Sequence, residues 1–287
     1  MEIFKALKKL EETTEKNTNV KECDYKGENG LIYCGLCHTP KQVHVEFLGL
    51  KKTPFCLCKC EQEKREKEEQ ARKEAAMREQ IAINRYHAFP DISSETPPEN
   101  NMRTWTFETD NGKQPQLSTV AKSYVKNFEH FRKQGTGLLF FGSVGTGKSY
   151  MAACIANALL DKGYKVLMTS ISRIADTAFN CREKQEYYDS LNNYPLIILD
   201  DLGVERNTEY MQEIIYKVID GRYKANLPFI VTSNLTGEEL NNPVGINNER
   251  TYSRILERCH PVKVDGADQR KQKAVETLAE RKRLLGL

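Results

Sequence analysis

An α/β fold with a mainly parallel sheet is predicted by three features of this 287-residue chain. Apolar strand-like runs alternate repeatedly with helix-like segments, a glycine-rich loop separates the first such strand from its helix, and a later strand closes on two adjacent acids. From Leu138 the order reads strand (138–141), helix (150–161), strand (165–169), helix (171–181), strand (194–199), helix (208–221) and strand (227–231), with a further helix over 117–132 leading in.

The loop is Gly142-Ser143-Val144-Gly145-Thr146-Gly147-Lys148-Ser149, set between the apolar run Leu138–Phe141 and a helix. Strand, glycine turn and helix in that order are what a phosphate-binding loop requires. Glycines let backbone N–H groups point inward at phosphates where a Cβ would obstruct them. Lys148 is placed to reach the β- and γ-phosphates and Ser149 to ligate Mg²⁺, so the chain is expected to bind a nucleoside triphosphate, ATP with Mg²⁺.

In a parallel sheet, residues at the C-terminal strand ends face the ligand crevice. The strand over 194–199 ends in Asp200-Asp201, and the strand over 227–231 leads into Thr232-Ser233-Asn234. Asp200 is expected to hold Mg²⁺ through water, Asp201 to polarise the attacking water, and Asn234 to orient that water or touch the γ-phosphate. A second acid beside the metal acid favours hydrolysis over binding alone.

The length suggests two domains, and 39% apolar content fills one good core. A net charge of +3 argues neither for nor against nucleic acid. No apolar run approaches the length of a membrane span and the N-terminus lacks a cleavable signal, so a cytoplasmic location without membrane contact is expected.

Six of the nine cysteines fall between residues 23 and 60. Cys34-Gly-Leu-Cys37 supplies one pair, and Cys56-Leu-Cys58-Lys-Cys60 a second with one to spare. Four thiolates suit tetrahedral Zn²⁺, and a segment with so few apolar residues needs such a staple. The preferred ligands are Cys34, Cys37, Cys58 and Cys60, with Cys56, Cys23, His38 and His44 as replacements. Cys154, Cys181 and Cys259 read as packing residues. From Glu61 to Gln80, acid-first i,i+4 pairs such as Glu61/Arg65 and Glu69/Lys73 describe an exposed connector helix without sustained heptads. Residues 90–100, rich in Pro, Ser, Glu and Asn, break it, placing an N-terminal module at 1–95 and a nucleotide domain at 100–287.

Taken together, the CxxC with its following CxC, WTFET at 105–109, GLLFFGSVGTGKSYMAACIANALLDKGYKV, YPLIILDDLG, FIVTSN and ERTYSRILERC resemble the DnaC-type replicative helicase loaders and the related IstB-type transposition helpers, both AAA+ ATPases. The resemblance runs from the cysteine module to near the C-terminus and implies an AAA+ core with its parallel sheet flanked by helices. It implies that an arginine completes a neighbouring subunit's ATP site: Arg254 by position, then Arg250, then Arg258. A guanidinium offers fixed, permanently charged donors to developing phosphoryl charge. The run Gly266-Ala-Asp268-Gln-Arg270 resembles a family ending whose Arg270 approaches the nucleotide, while the separate helical lid of larger AAA+ proteins is missing or much reduced after residue 261.

The implied function is a loader, of phage or bacterial type, that grips a hexameric replicative DNA helicase through the N-terminal region. Its ATP-bound domains would self-associate in a spiral and engage single-stranded DNA, with slow hydrolysis as the release switch. Arg173, Arg182 and Lys184 are candidate phosphate contacts. The alternatives are a transposition helper on duplex DNA and a non-catalytic ATP-gated adaptor.

Overall fold

The computed structural model describes residues 20–47, 49–97, 100–203, 208–243 and 245–286. The chain divides into two compact units, Met1–Glu79 and Gln80–Leu287. The first holds two short antiparallel hairpins, β1 (Tyr25–Lys26) with β2 (Ile32–Tyr33) and β3 (Val45–Phe47) with β4 (Leu50–Lys52). Helix α1 (Lys59–Ala88) follows and contains the division between the units. Its surface is largely exposed and laced by pairs such as Glu69–Lys73 (2.6 Å) and Lys64–Glu68 (3.8 Å). It outruns the expected connector by two turns and stops just before Pro90, since a residue preceding proline is pushed out of the helical region.

In the second unit, α2 (Pro115–Lys126) and α3 (Phe128–Gln134) lead into β5 (Gly137–Phe141). One continuous helix over 117–132 was expected. Instead α2 ends at Asn127, whose side-chain amide and backbone N–H both donate to Ser123 O (3.0 Å each). Then come α4 (Lys148–Asp161), β6 (Val166–Ser170), α5 (Ile171–Asn180), α6 (Lys184–Ser190), β7 (Leu196–Leu202), α7 (Glu209–Lys224) and β8 (Phe229–Ser233). The chain closes with α8 (Gly237–Asn241), α9 (Ile246–Arg258), β9 (Cys259–Lys263) and α10 (Gln269–Leu285). Among the described residues α10 is the one helix after β9, where a larger lid was not expected.

Five parallel strands form a sheet in the order β6-β7-β8-β5-β9. Alternation along β5 sends Leu138 and Phe140 to one face and Leu139 to the other. The first face packs on Met151, Ile155 and Leu159 of α4 with Tyr124 and Phe128 of α2–α3. The second packs on Ile174 of α5, Val218 of α7 and Ile255 of α9. Helices on both faces of a parallel sheet bury every central strand, hence the unbroken apolar runs.

Strands β7 and β8 each begin two residues later than the apolar runs predicted. The carbonyls of Tyr194, Pro195 and Pro228, among the residues so displaced, accept instead from the fully buried Arg222. Its guanidinium donates to Leu191 O (3.3 Å), Tyr194 O (2.7 Å), Pro195 O (3.4 Å) and Pro228 O (2.5 Å). Burial lowers its pKa to about 9. Arg222 thus clamps together the N-terminal ends of β7 and β8.

Candidate nucleotide site and four-cysteine cluster

Because β8 lies between β5 and β7, the segments following these three strands converge at one end of the sheet. A cavity of about 280 Å³ opens there, lined by Val144 to Ser149 of the loop, Asp200, Asp201, Asn234 and Arg270. Of the nucleotide-site residues expected from sequence, Gly142 and Ser143 are not part of this lining: their carbonyls accept from Lys148 Nζ at 2.9 and 2.6 Å. Gly142, Gly145 and Gly147 have φ of 125°, 74° and 98°, the left-handed region that a Cβ disfavours. Gly145 has a second constraint, since a Cβ there would lie 1.9 Å from Asp268 Oδ1.

Two neighbouring strand residues normally face opposite sides of a sheet. Asp200 and Asp201 both reach the cavity because β7 is irregular between Leu199 and Leu202, and Asp201 adopts a left-handed φ of 55°. Thr232 secures this bend by accepting the Asp201 N–H (2.9 Å) while donating to Asp200 Oδ1 (2.7 Å). Burial pushes the Asp200 carboxyl up, the Thr232 bond opposes this, and the charges of Asp201 and Asp91 add to the rise. Burial also lowers the Lys148 ammonium, with Asp201 and Asp200 pulling the other way. Three hydrogen-bonding groups therefore surround a space where one cation and one polyanion would relieve each other's desolvation.

The cavity has features that sequence reading did not isolate. Gln269, at the start of α10, donates its N–H to Gly145 O (3.0 Å) and accepts from Asn111 Nδ2 (2.9 Å). It straps the C-terminal helix to the phosphate loop. At the far end Trp105 and Tyr150 lie 5.3 Å apart by ring centroids. WTFET marked this segment, but only the fold brings Trp105 to Tyr150.

The arginines of α9 stand outside this cavity's lining. Arg254 pairs with Asp220 (2.6 Å) and lies over the Tyr216 and Tyr223 rings at 4.9 and 5.3 Å. Arg258 donates to Asn226 Oδ1 (2.9 Å) and Gln134 O (3.3 Å), while Arg250 is exposed. Phe179, near the end of α5, is 72% exposed with Lys184 Nζ 5.8 Å from its ring centroid. An aromatic ring that far out of the core is a feature sequence reading missed.

In the first unit the ligand atoms of Cys34, Cys37, Cys58 and Cys60 lie within 4.8 Å of one another. Cys60 Sγ is 3.6 Å from Cys34 Sγ and 3.3 Å from Cys58 Sγ. Sulfurs at tetrahedral Zn–S distances stand about 3.8 Å apart, so four thiolates here fit Zn²⁺. Backbone N–H groups of Cys37 and Leu36 lower the Cys34 thiol, and Thr39 and the Cys60 backbone lower Cys37 to about 5. Cys56 donates to Pro40 O (3.6 Å) instead, and Cys23 is exposed. Behind the knuckle, buried Lys41 donates to Asp24 (2.8 Å), which also accepts the Gly35 N–H (3.2 Å). Lys41 holds the Asp24 carboxyl at about 2. Cys154 and Cys259 are buried in the second unit's cores, as expected of packing residues, and Cys181 is half-buried.

A phosphate loop after β5, the first strand of the five-stranded parallel sheet in chain order, an acidic pair on β7 and a polar end on β8 between them define an AAA+-type P-loop protein. The sequence profile of IstB-like ATP-binding proteins matches residues 68–277, and the chain belongs to that family. It is 29% identical over 160 residues to the replicative helicase loader DnaI of Bacillus subtilis, covering 51% of each chain. It is 29% identical over 196 residues to the replicative helicase loader DnaC of Escherichia coli K12, covering 66% of this chain and 77% of that one. The crystal structure of the DnaC helicase loader shares the fold, with a TM-score of 0.50 at 23% identity over 57% of this chain and 98% of the other. The chain thus spans about half the length of its DnaI relative. Among the described residues no helix is long and apolar enough to cross a membrane.

Proposed function

We propose that this chain is an ATP-dependent loader of a hexameric replicative DNA helicase, using ATP binding and slow hydrolysis as a switch. The observation that carries the reading is the meeting of Lys148, Asp200, Asp201 and Asn234 in one cavity, within a chain similar to two proteins named replicative helicase loaders. Ser149 and Asp200 would hold Mg²⁺, which would supply screening of the triphosphate's charge. Lys148 leaves its loop carbonyls for the β- and γ-phosphates, the Val144–Lys148 backbone cradles them, Asp201 takes up the proton of the attacking water, and Asn234 orients that water. Cys34, Cys37, Cys58 and Cys60 would hold Zn²⁺, which would supply the cross-link that folds the N-terminal unit, and that unit together with α1 grips the helicase.

Arg254 supplies the trans-acting guanidinium: it is absent from its own chain's cavity, and two tyrosine rings and Asp220 hold it on a rigid helix. Self-association through the ATPase domains follows from that role. Phe179 with Lys184 offers single-stranded DNA a base-stacking face beside a phosphate contact, with Arg173 and Arg182 nearby in sequence. The family match favours one second reading, a transposition helper that binds duplex DNA.

Arg254→Ala should leave nucleotide affinity intact while lowering DNA-stimulated phosphate release by about 100-fold or more and abolishing ATP-dependent self-association. Phosphate release and sedimentation with ATP, compared with wild type, check this. Full hydrolysis and assembly by the variant would remove Arg254 from the mechanism and transfer the role to Arg250.

A further inference from the structure

We infer that Asp91, in the turn that follows the connector helix, is a positioning residue of the metal-nucleotide site. The inference rests on the ATPase reading above. Asp91 Oδ1 accepts the Thr169 hydroxyl (3.1 Å) and Asp91 Oδ2 accepts the Ser170 N–H (2.8 Å), both at the C-terminal end of β6. Ser170 is the register partner of Asp200 on β7. Asp91 therefore fastens the strand end against which the metal-holding acid is aligned.

The turn that presents Asp91 is itself built for aim. Phe89 is buried at 1% exposure, and the Ile92 N–H donates to Phe89 O (3.2 Å) to close the turn around Asp91. Arg103 then donates to the carbonyls of Phe89 (3.0 Å), Ile92 (2.9 Å) and Tyr86 (3.3 Å), its guanidinium 4.8 Å from the Tyr86 ring centroid. One cation thus gathers the end of α1 and the turn into a single clamp, with Asp91 projecting from its middle. Arg85, two turns from Asp91, pairs with Asp161 and donates to Asn157 of α4, the helix that begins at Lys148. Two polar anchors therefore join the last turns of α1 and the turn after it to β6, which pairs with the Asp200 strand β7, and to α4, which carries Lys148 and Ser149. A solvated turn has no need of this, because Asp91 could hydrogen-bond to water instead.

The consequence is functional coupling: force on α1 reaches the Asp200 end of the sheet through Asp91. Removing the carboxylate releases Thr169 and Ser170, and Asp200 loses its lateral support. A misplacement approaching 1 Å at a reacting site costs up to about 100-fold in rate.

The test uses the full-length protein with Asp91→Ala and Asp91→Asn. It compares Mg²⁺-dependent kcat and KM for ATP, binding of a fluorescent ADP analogue in EDTA, and thermal unfolding. Asp91→Ala should lower kcat between about 10- and 100-fold and raise the Mg²⁺ needed for half-maximal rate. Its metal-free nucleotide affinity should stay at the wild-type value, and its unfolding midpoint should fall by no more than the few degrees (roughly 2–6 °C) that two lost hydrogen bonds cost. Asp91→Asn retains an acceptor for the Ser170 N–H, and the Thr169 hydroxyl can rotate to accept from the amide, so it should recover most of kcat. A wild-type kcat and Mg²⁺ dependence in Asp91→Ala overturns the inference. So does a loss matched by equal losses in metal-free binding and stability, which would make Asp91 a general structural anchor. Absence of Mg²⁺-dependent hydrolysis in the wild type itself would overturn the ATPase reading beneath it.

Discussion

Lys148→Ala is expected to lower ATP turnover by on the order of 100- to 1,000-fold and to weaken triphosphate binding with it. Lys148 is 4% exposed, and among the described residues lining the cavity only it and Arg270 carry a positive charge. Opposite stand Asp200 and Asp201, so alanine would leave an acidic cavity facing an acidic ligand. The carbonyls of Gly142 and Ser143 would also lose their donor, which loosens the turn that presents the backbone N–H groups. Steady-state phosphate release and titration with a fluorescent ATP analogue measure the two losses, and an unchanged circular dichroism spectrum separates them from unfolding. Wild-type turnover in the variant would remove this cavity from the chemistry.

The second large effect concerns the first unit. Its described strands are two or three residues long, and among its described residues the buried apolar side chains are Leu31, Cys34 and Cys58. Such a core supplies little folding free energy, whereas a structural zinc site contributes about 10–16 kcal/mol at neutral pH. Purified protein should carry one zinc per chain on the Cys34, Cys37, Cys58 and Cys60 cluster. Chelation, or Cys58→Ser, should unfold the hairpins, expose the cluster's remaining thiols to a thiol reagent, and leave nucleotide binding by the second unit near wild type. Metal analysis, thiol titration and nucleotide binding on the same sample decide it. Folded, metal-free protein with protected thiols would contradict the zinc assignment.

The nucleotide cavity was legible because its parts are local: the loop, the acidic pair and Asn234 each end a strand, and parallel strands ending on one side bring them together. Strand β9 was not legible. Its sequence Cys-His-Pro-Val-Lys carries Pro261, which argues against a central strand, and the fold accommodates it at the sheet edge beside β5. The left-handed Asp201 was likewise hidden, because the reason for it lies in Thr232, on a different strand. Arg222, Arg103 and Asp91 are charged residues whose partners are mostly backbone groups distant in sequence, and no periodicity marks such contacts. The CxxC and CxC spacings pointed to a metal cluster. That Cys56 is the cysteine turned away, toward Pro40, depends on how the strand bridge Gln42–Phe55 orients its neighbour.

The most direct test of the proposed loader role is co-purification of this chain with its cognate hexameric replicative helicase, with and without ATP. Wild type is compared with a variant lacking residues 1–79 and with Lys148→Ala. The role predicts a stable complex that the truncation abolishes and whose response to ATP Lys148→Ala removes. No complex under any nucleotide condition, with duplex DNA binding intact, would contradict the role and establish the transposition-helper reading in its place.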